Sequence, residues 1–191
     1  MLKEDVNVNL KIDLPGVYIG DPCYILPDEI YQGIWENKYS FEDGAVYTDD
    51  NKLVMIVAST FDGDGVYAAF GHVYEADSVG NHELFSVPVD AGVIAIVNLE
   101  FAKEDWKEDP ICNGENGEGY ISEKPVSQVS FFANCDGHYE IEAHNTDGSK
   151  FDFEIYTAPE YEDEDPYEED PYDEQPYVDD EYDGDYEEFN D

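Results

Sequence analysis

The chain contains no arginine. Its 8 basic residues are all lysines, set against 49 acidic ones, and the formal net charge is −41 over 191 residues. Nucleic-acid binders lean on arginine forks for phosphates and guanines, so direct DNA or RNA contact is disfavoured. Enzymes that act on phosphorylated substrates are disfavoured for the same reason. Cysteine is also scarce. Cys23, Cys112 and Cys135 are odd in number and widely spaced, so reduced thiols are expected rather than a disulfide framework. No apolar run approaches membrane-spanning length. Met1-Leu2-Lys3-Glu4-Asp5 has no apolar signal region, which points to a cytoplasmic protein, in a host cytoplasm if phage-encoded. No Walker loop, G-x-S-x-G or H-E-x-x-H motif occurs.

What is present falls into two parts. Residues 158–191 hold 18 of the 49 acids and no lysine or histidine, so the first 157 residues keep 31 acids and all 8 lysines, a net −23. The reading is one β-rich domain over 1–157, long enough to bury a core, and a disordered acidic tail over 158–191.

The body reads as mainly β, a sandwich or barrel-like set of antiparallel sheets with one or two short helices. Val6, Val8, Leu10 and Ile12 alternate with polar residues as in a half-buried strand. Pro27-Asp28-Glu29 marks a helix start, with Ile30, Ile34 and Trp35 on one face. Leu53 to Ala58 is a continuous apolar strand. Asp62-Gly63-Asp64-Gly65 predicts a hairpin turn leading back through Val66 to Phe70. Further strands are expected over 83–89, 93–99, 126–133, 138–144 and 150–156. Residues 101–108 read as a helical turn or two, and 109–119 as a loop. Turn signals near every tenth residue fit a sandwich or barrel. Residues 61–67 and 133–139 also echo each other, which shared turn chemistry explains without a duplication.

Three constellations invite a chemical reading. An EF-hand loop begun at Asp62 would need glycine at its sixth position and glutamate at its twelfth, and these are Tyr67 and Val73. Cys135 and His138 form one C-x-x-H, two ligands where zinc needs four. Cys23 sits among acids, which raise a thiol's pKa rather than activate it. No metal or cofactor is therefore expected. Gly20, Asp21, Pro22, Cys23 and Tyr24 read as a structural turn or candidate pocket.

Gly20-Asp21-Pro22-Cys23-Tyr24, Asp64-Gly65-Val66-Tyr67 and Val89-Asp90-Ala91-Gly92 resemble motifs of small uncharacterised β-rich proteins of phages and their bacterial hosts. The resemblance covers the body alone. It implies a phage-type context and a β fold, and it carries no catalytic residues.

The tail repeats a pentad: Asp165-Pro166-Tyr167-Glu168-Glu169, Asp170-Pro171-Tyr172-Asp173-Glu174, Gln175-Pro176-Tyr177-Val178-Asp179. Its prolines forbid a helix. At about 3.1 Å per residue these residues span roughly 100 Å, with a negative charge every ~6 Å. Tyrosines stand where bases would stack on a nucleic-acid strand. The expected partner is a basic protein, met by Asp165, Glu168, Asp170 and Asp173 and by Tyr161, Tyr167, Tyr172, Tyr177, Tyr182, Tyr186 and Phe189. The tail is similar to the acidic, aromatic-ended tails of phage single-stranded-DNA-binding proteins, which implies recruitment of other proteins. Those proteins pair such a tail with a basic domain, and this body is acidic.

The function expected is a non-enzymatic interaction module, a polyanionic mimic of nucleic acid that inhibits or recruits a basic partner. Two readings of other classes stand beside it. One is a structural or immunity-type β-rich interaction protein whose tail only solubilises. The other is a small enzyme with a pocket near Gly20–Tyr24.

Overall fold

The structure, a computed structural model, describes residues 5–114 and 116–157, all within one compact unit, Met1–Ala158. The tail and its expected binding residues lie outside the described residues.

Among the described residues twelve strands and two α-helices follow one another: β1 Val6–Leu14, β2 Val17–Gly20, α1 Pro22–Ile25, α2 Asp28–Trp35, β3 Ser40–Glu42, β4 Ala45–Tyr47, β5 Leu53–Ser59, β6 Gly65–Tyr74, β7 Asn81–Val89, β8 Val93–Asn98, β9 Tyr120–Ser122, β10 Val126–Ala133, β11 Tyr139–Asn145 and β12 Lys150–Thr157. The fold is mainly β, as the sequence pattern predicts. The strands form two six-stranded antiparallel sheets, ordered β1-β10-β11-β12-β6-β7 in sheet A and β3-β4-β5-β8-β2-β9 in sheet B.

The two sheets bury one shared core. Val129, Phe131, Ile141, Phe151, Phe153 and Ile155 of sheet A meet Val17, Ile19, Ile56, Ile94 and Ile96 of sheet B. The other face of sheet B is covered as well. Val46, Met55, Val57, Val93, Ala95 and Val97 pack with Ile25, Leu26, Ile34 and Cys112 in a second core. Burial on both faces explains why β5 and β8 read as unbroken apolar runs, whereas β10, β11 and β12 alternate. Sheet A therefore has an outer face with no layer over it among the described residues. Helix α2 forms where expected, with Ile34 buried and Ile30 and Trp35 packed beside it.

The expected hairpin at 62–65 does not form. Asp62–Gly65 is not a hairpin turn, because β5 belongs to sheet B and β6 to sheet A. The glycines carry positive φ as predicted, at Gly63 and Gly65, but turn chemistry reports the bend and not the sheet the chain enters next. The segment is a crossover, paired with a second at Asp90-Ala91-Gly92 through the Thr60 N–H, which donates to the Gly92 carbonyl at 2.9 Å. The echo at 133–139 is a true hairpin between β10 and β11. The two loops pack together: the Phe61 N–H donates to the Tyr139 hydroxyl at 3.1 Å, and the Tyr67 and Tyr139 rings meet edge to face.

Two strong side-chain constraints sit in this frame. A Cβ at Gly71 of β6 would collide with the Asp152 carbonyl oxygen of β12. Gly71→Ala is expected to cost about 3 kcal/mol in urea unfolding, since backbone cannot yield as a side chain does. Tyr18 of β2 is fully buried, and its hydroxyl has no hydrogen-bond partner among the described residues. Removing an unsatisfied buried hydroxyl gains stability, so Tyr18→Phe is expected to add about 1 kcal/mol by the same assay.

Candidate functional site

The three short motifs of the body, far apart in sequence, converge at the crossovers. Gly20 ends β2, Asp21 caps α1, and Pro22, Cys23 and Tyr24 begin that helix, so a single helical turn stands where a plain turn was expected. Proline at the first helical position and aspartate before it favour this local structure. Asp21 does more than cap. One carboxylate oxygen accepts from the Cys23 N–H at 2.9 Å, and the other accepts from Asp90 and Ala91 at 2.8 and 2.7 Å. The side chain is fully buried. The Tyr24 hydroxyl donates to Asp90 at 2.6 Å, and the Cys112 thiol donates to the Tyr24 carbonyl at 3.0 Å. Asp64 lies near Gly92, so the third motif joins the same corner.

The hydrogen bonds of this corner tie one stretch of chain to another. Burial, then the hydrogen bond and charge of Asp21, push the Cys23 thiol well above its ordinary pKa. Burial likewise pushes Cys112 up to about 11. A thiolate nucleophile has no support here. Cys135 is exposed on its hairpin, and His138 of its C-x-x-H stacks on Tyr156 at 4.7 Å between ring centroids. No group of three His, Cys, Asp or Glu placed to hold a metal ion occurs among the described residues.

The buried Tyr18 and half-buried Tyr24 and Tyr120 phenols give the fold an alkaline limit. Burial raises Tyr18 and Tyr24 and takes Tyr120 up to about 12. A phenol whose pKa is raised by folding contributes stability below its unfolded value of about 10, lost as pH climbs through the folded value. The urea midpoint is expected to fall steeply above about pH 10, and less steeply in Tyr18→Phe.

Concave surface lies elsewhere. Among the described residues, three of the surface concavities are lined by residues of the β1 edge, of the β7 edge and of the outer face of sheet A, and none of these three by residues 20–24. The outer-face concavity, about 320 Å³, has Glu140 and Glu142 of β11 and Asp152 and Glu154 of β12 among its lining, with Phe70, His72 and Phe132 beside them. Register sets Glu140 opposite Glu154 and Glu142 opposite Asp152. Like charges placed directly across a ladder destabilise it, so sheet stability alone does not account for this arrangement. Three histidines lie within 4 Å of these carboxylates. His144 is 2.7 Å from Glu142, His72 is 3.7 Å from Asp152, and His138 is 3.5 Å from Glu140. Exposed Phe132 and Phe70 flank the acids, with exposed Leu84 opposite Phe70 on the next strand.

Sequence reasoning placed the binding residues in the tail and missed this face. The alternation of β11 and β12 marks these acids as outward-facing, but the pairing of one strand against the next is a long-range property. No helix among the described residues is long and apolar enough to cross a membrane. No family model matches the chain, and comparisons with curated proteins and with solved structures find no match.

Proposed function

We propose that the protein is a non-enzymatic interaction module that binds a basic segment of another protein. The observation that carries this reading is the concave outer face of sheet A, where two directly opposed carboxylate pairs sit among exposed apolar side chains. Carboxylates attract lysine and arginine heads, and the apolar surround takes their methylene stems. The residues at 158–191 add a second polyanion of the same sign, so long-range steering would draw a basic partner quickly and in a salt-dependent way. A phage-type setting, implied by the resemblance at Gly20–Tyr24 and Val89–Gly92, would give such a binder a use against a host nucleic-acid enzyme. The commitment of the Asp21 carboxylate to three backbone N–H groups supports a structural role for that corner.

The test is capture from host lysate by the full chain, by 1–157, and by a full chain carrying Glu142→Gln and Asp152→Gln, at low and moderate salt. Salt-sensitive capture of an identified basic protein, weakened by the truncation and by the face variant, supports the proposal. Capture indifferent to salt and to both changes, or of no basic protein, contradicts it and favours a structural module with a solubilising tail.

A further inference from the structure

The register of sheet A builds a row that the sequence order hides. Phe132 of β10 lies opposite Glu140 of β11, Glu140 opposite Glu154 of β12, and Glu154 opposite Phe70 of β6. Neighbouring strands are about 4.8 Å apart, so two carboxylates stand side by side between two phenyl rings roughly 14 Å apart. The adjacent row differs. There Glu142 and Asp152 share the Lys150 ammonium at 3.5 and 3.7 Å. Among the described residues no lysine is ion-paired with Glu140 or Glu154. Their neighbours are His138, at 3.5 and 3.9 Å, and the Tyr156 hydroxyl, which donates to Glu154 at 2.6 Å. One carboxylate pair is compensated by a lysine, and the other is uncompensated by any lysine among the described residues.

The chemistry of that cation follows from the walls. A compact ammonium is strongly hydrated and meets carboxylates as a point charge. A guanidinium is planar and weakly hydrated. Its N–H edges can serve two carboxylates while its face lies against a phenyl ring. Phe70 is already held flat for such a contact, stacked on Tyr156 at 5.5 Å, which stacks on His138 at 4.7 Å. The occupant cannot be this chain or a second copy of it, because the chain contains no arginine.

We propose that Phe132, Glu140, Glu154 and Phe70 form the recognition subsite for one arginine side chain on a basic partner protein. This rests on the proposed function of the face and names what that face selects.

The experiment is calorimetric titration of the full-length protein with two synthetic peptides, an octalysine and the same peptide with one central lysine replaced by arginine. The arginine peptide is expected to bind about ten-fold more tightly. That preference should vanish in Glu140→Gln/Glu154→Gln and in Phe70→Leu/Phe132→Leu. The glutamine variant should also melt a few degrees higher, since it removes an opposed like-charge pair, so lost preference cannot be blamed on unfolding. Equal binding of the two peptides, or a preference that survives both variants, overturns the arginine subsite and leaves the basic-segment reading standing. Binding of neither peptide overturns both.

Discussion

Asp21→Ala is expected to lower the unfolding free energy by about 4 kcal/mol. The carboxylate is fully buried and accepts from the backbone N–H groups of Cys23, Asp90 and Ala91. Alanine leaves those three donors without that acceptor inside the fold, and each orphaned buried donor costs about 1–3 kcal/mol. The loss is less than three full penalties because the crossover can relax toward water. Asp21→Asn keeps an acceptor oxygen but gives up the charge, so about half the loss is expected. Urea unfolding of the three proteins reads the effect. A loss below about 1 kcal/mol for the alanine variant would show that the clamp does not hold the crossovers together.

Reversing both members of the uncompensated pair, Glu140→Lys with Glu154→Lys, is expected to weaken binding of a basic partner by at least about a hundred-fold. Close charge pairs across an interface couple by roughly 1.5–7 kcal/mol, and reversal replaces attraction with repulsion. Fold stability should fall by no more than about 1 kcal/mol, the hydrogen bond that the Tyr156 hydroxyl donates to Glu154, since opposed lysines on the outer face repeat the electrostatic cost of opposed glutamates. The same reversal at Glu36 and Glu108, away from sheet A, should reduce affinity only through net charge, by a few-fold and in proportion to screening. Titration calorimetry at two salt concentrations separates the two cases. Equal losses at both sites would mean that bulk charge, not the face, does the binding.

Sheet A was largely legible because its strands face solvent on one side. Val129, Phe131 and Ala133 alternate in burial with Ser130 and the exposed Phe132, and Ile141 and Ala143, and Phe151, Phe153 and Ile155, alternate with polar or amphipathic neighbours. Sheet B was legible only in its longest members. Strands β5 and β8 announce themselves as apolar runs, but β3, at Ser40–Glu42, and β9, at Tyr120–Ser122, are three residues each and too short to show a period. The crossovers escaped because a glycine-rich bend looks alike whether the chain returns to the same sheet or leaves it. The Asp21 clamp escaped for a related reason, since its partners lie 69 and 70 residues away in sequence. The carboxylate face needed register as well as alternation. Glu140 and Glu154 each look like ordinary solvated acids until their strands are paired.

The most direct test of the face is a titration of nitrogen-15-labelled full-length protein with the arginine-containing peptide, followed by amide chemical shifts. Binding through sheet A predicts that the amides of Phe70, Phe132, Glu140 and Glu154 move together and saturate at one affinity, while those of Cys23, Ala91 and Cys112 stay in place. Stationary amides on β11 and β12, with shifts confined to residues 158–191 or to the Asp21 corner, would contradict it.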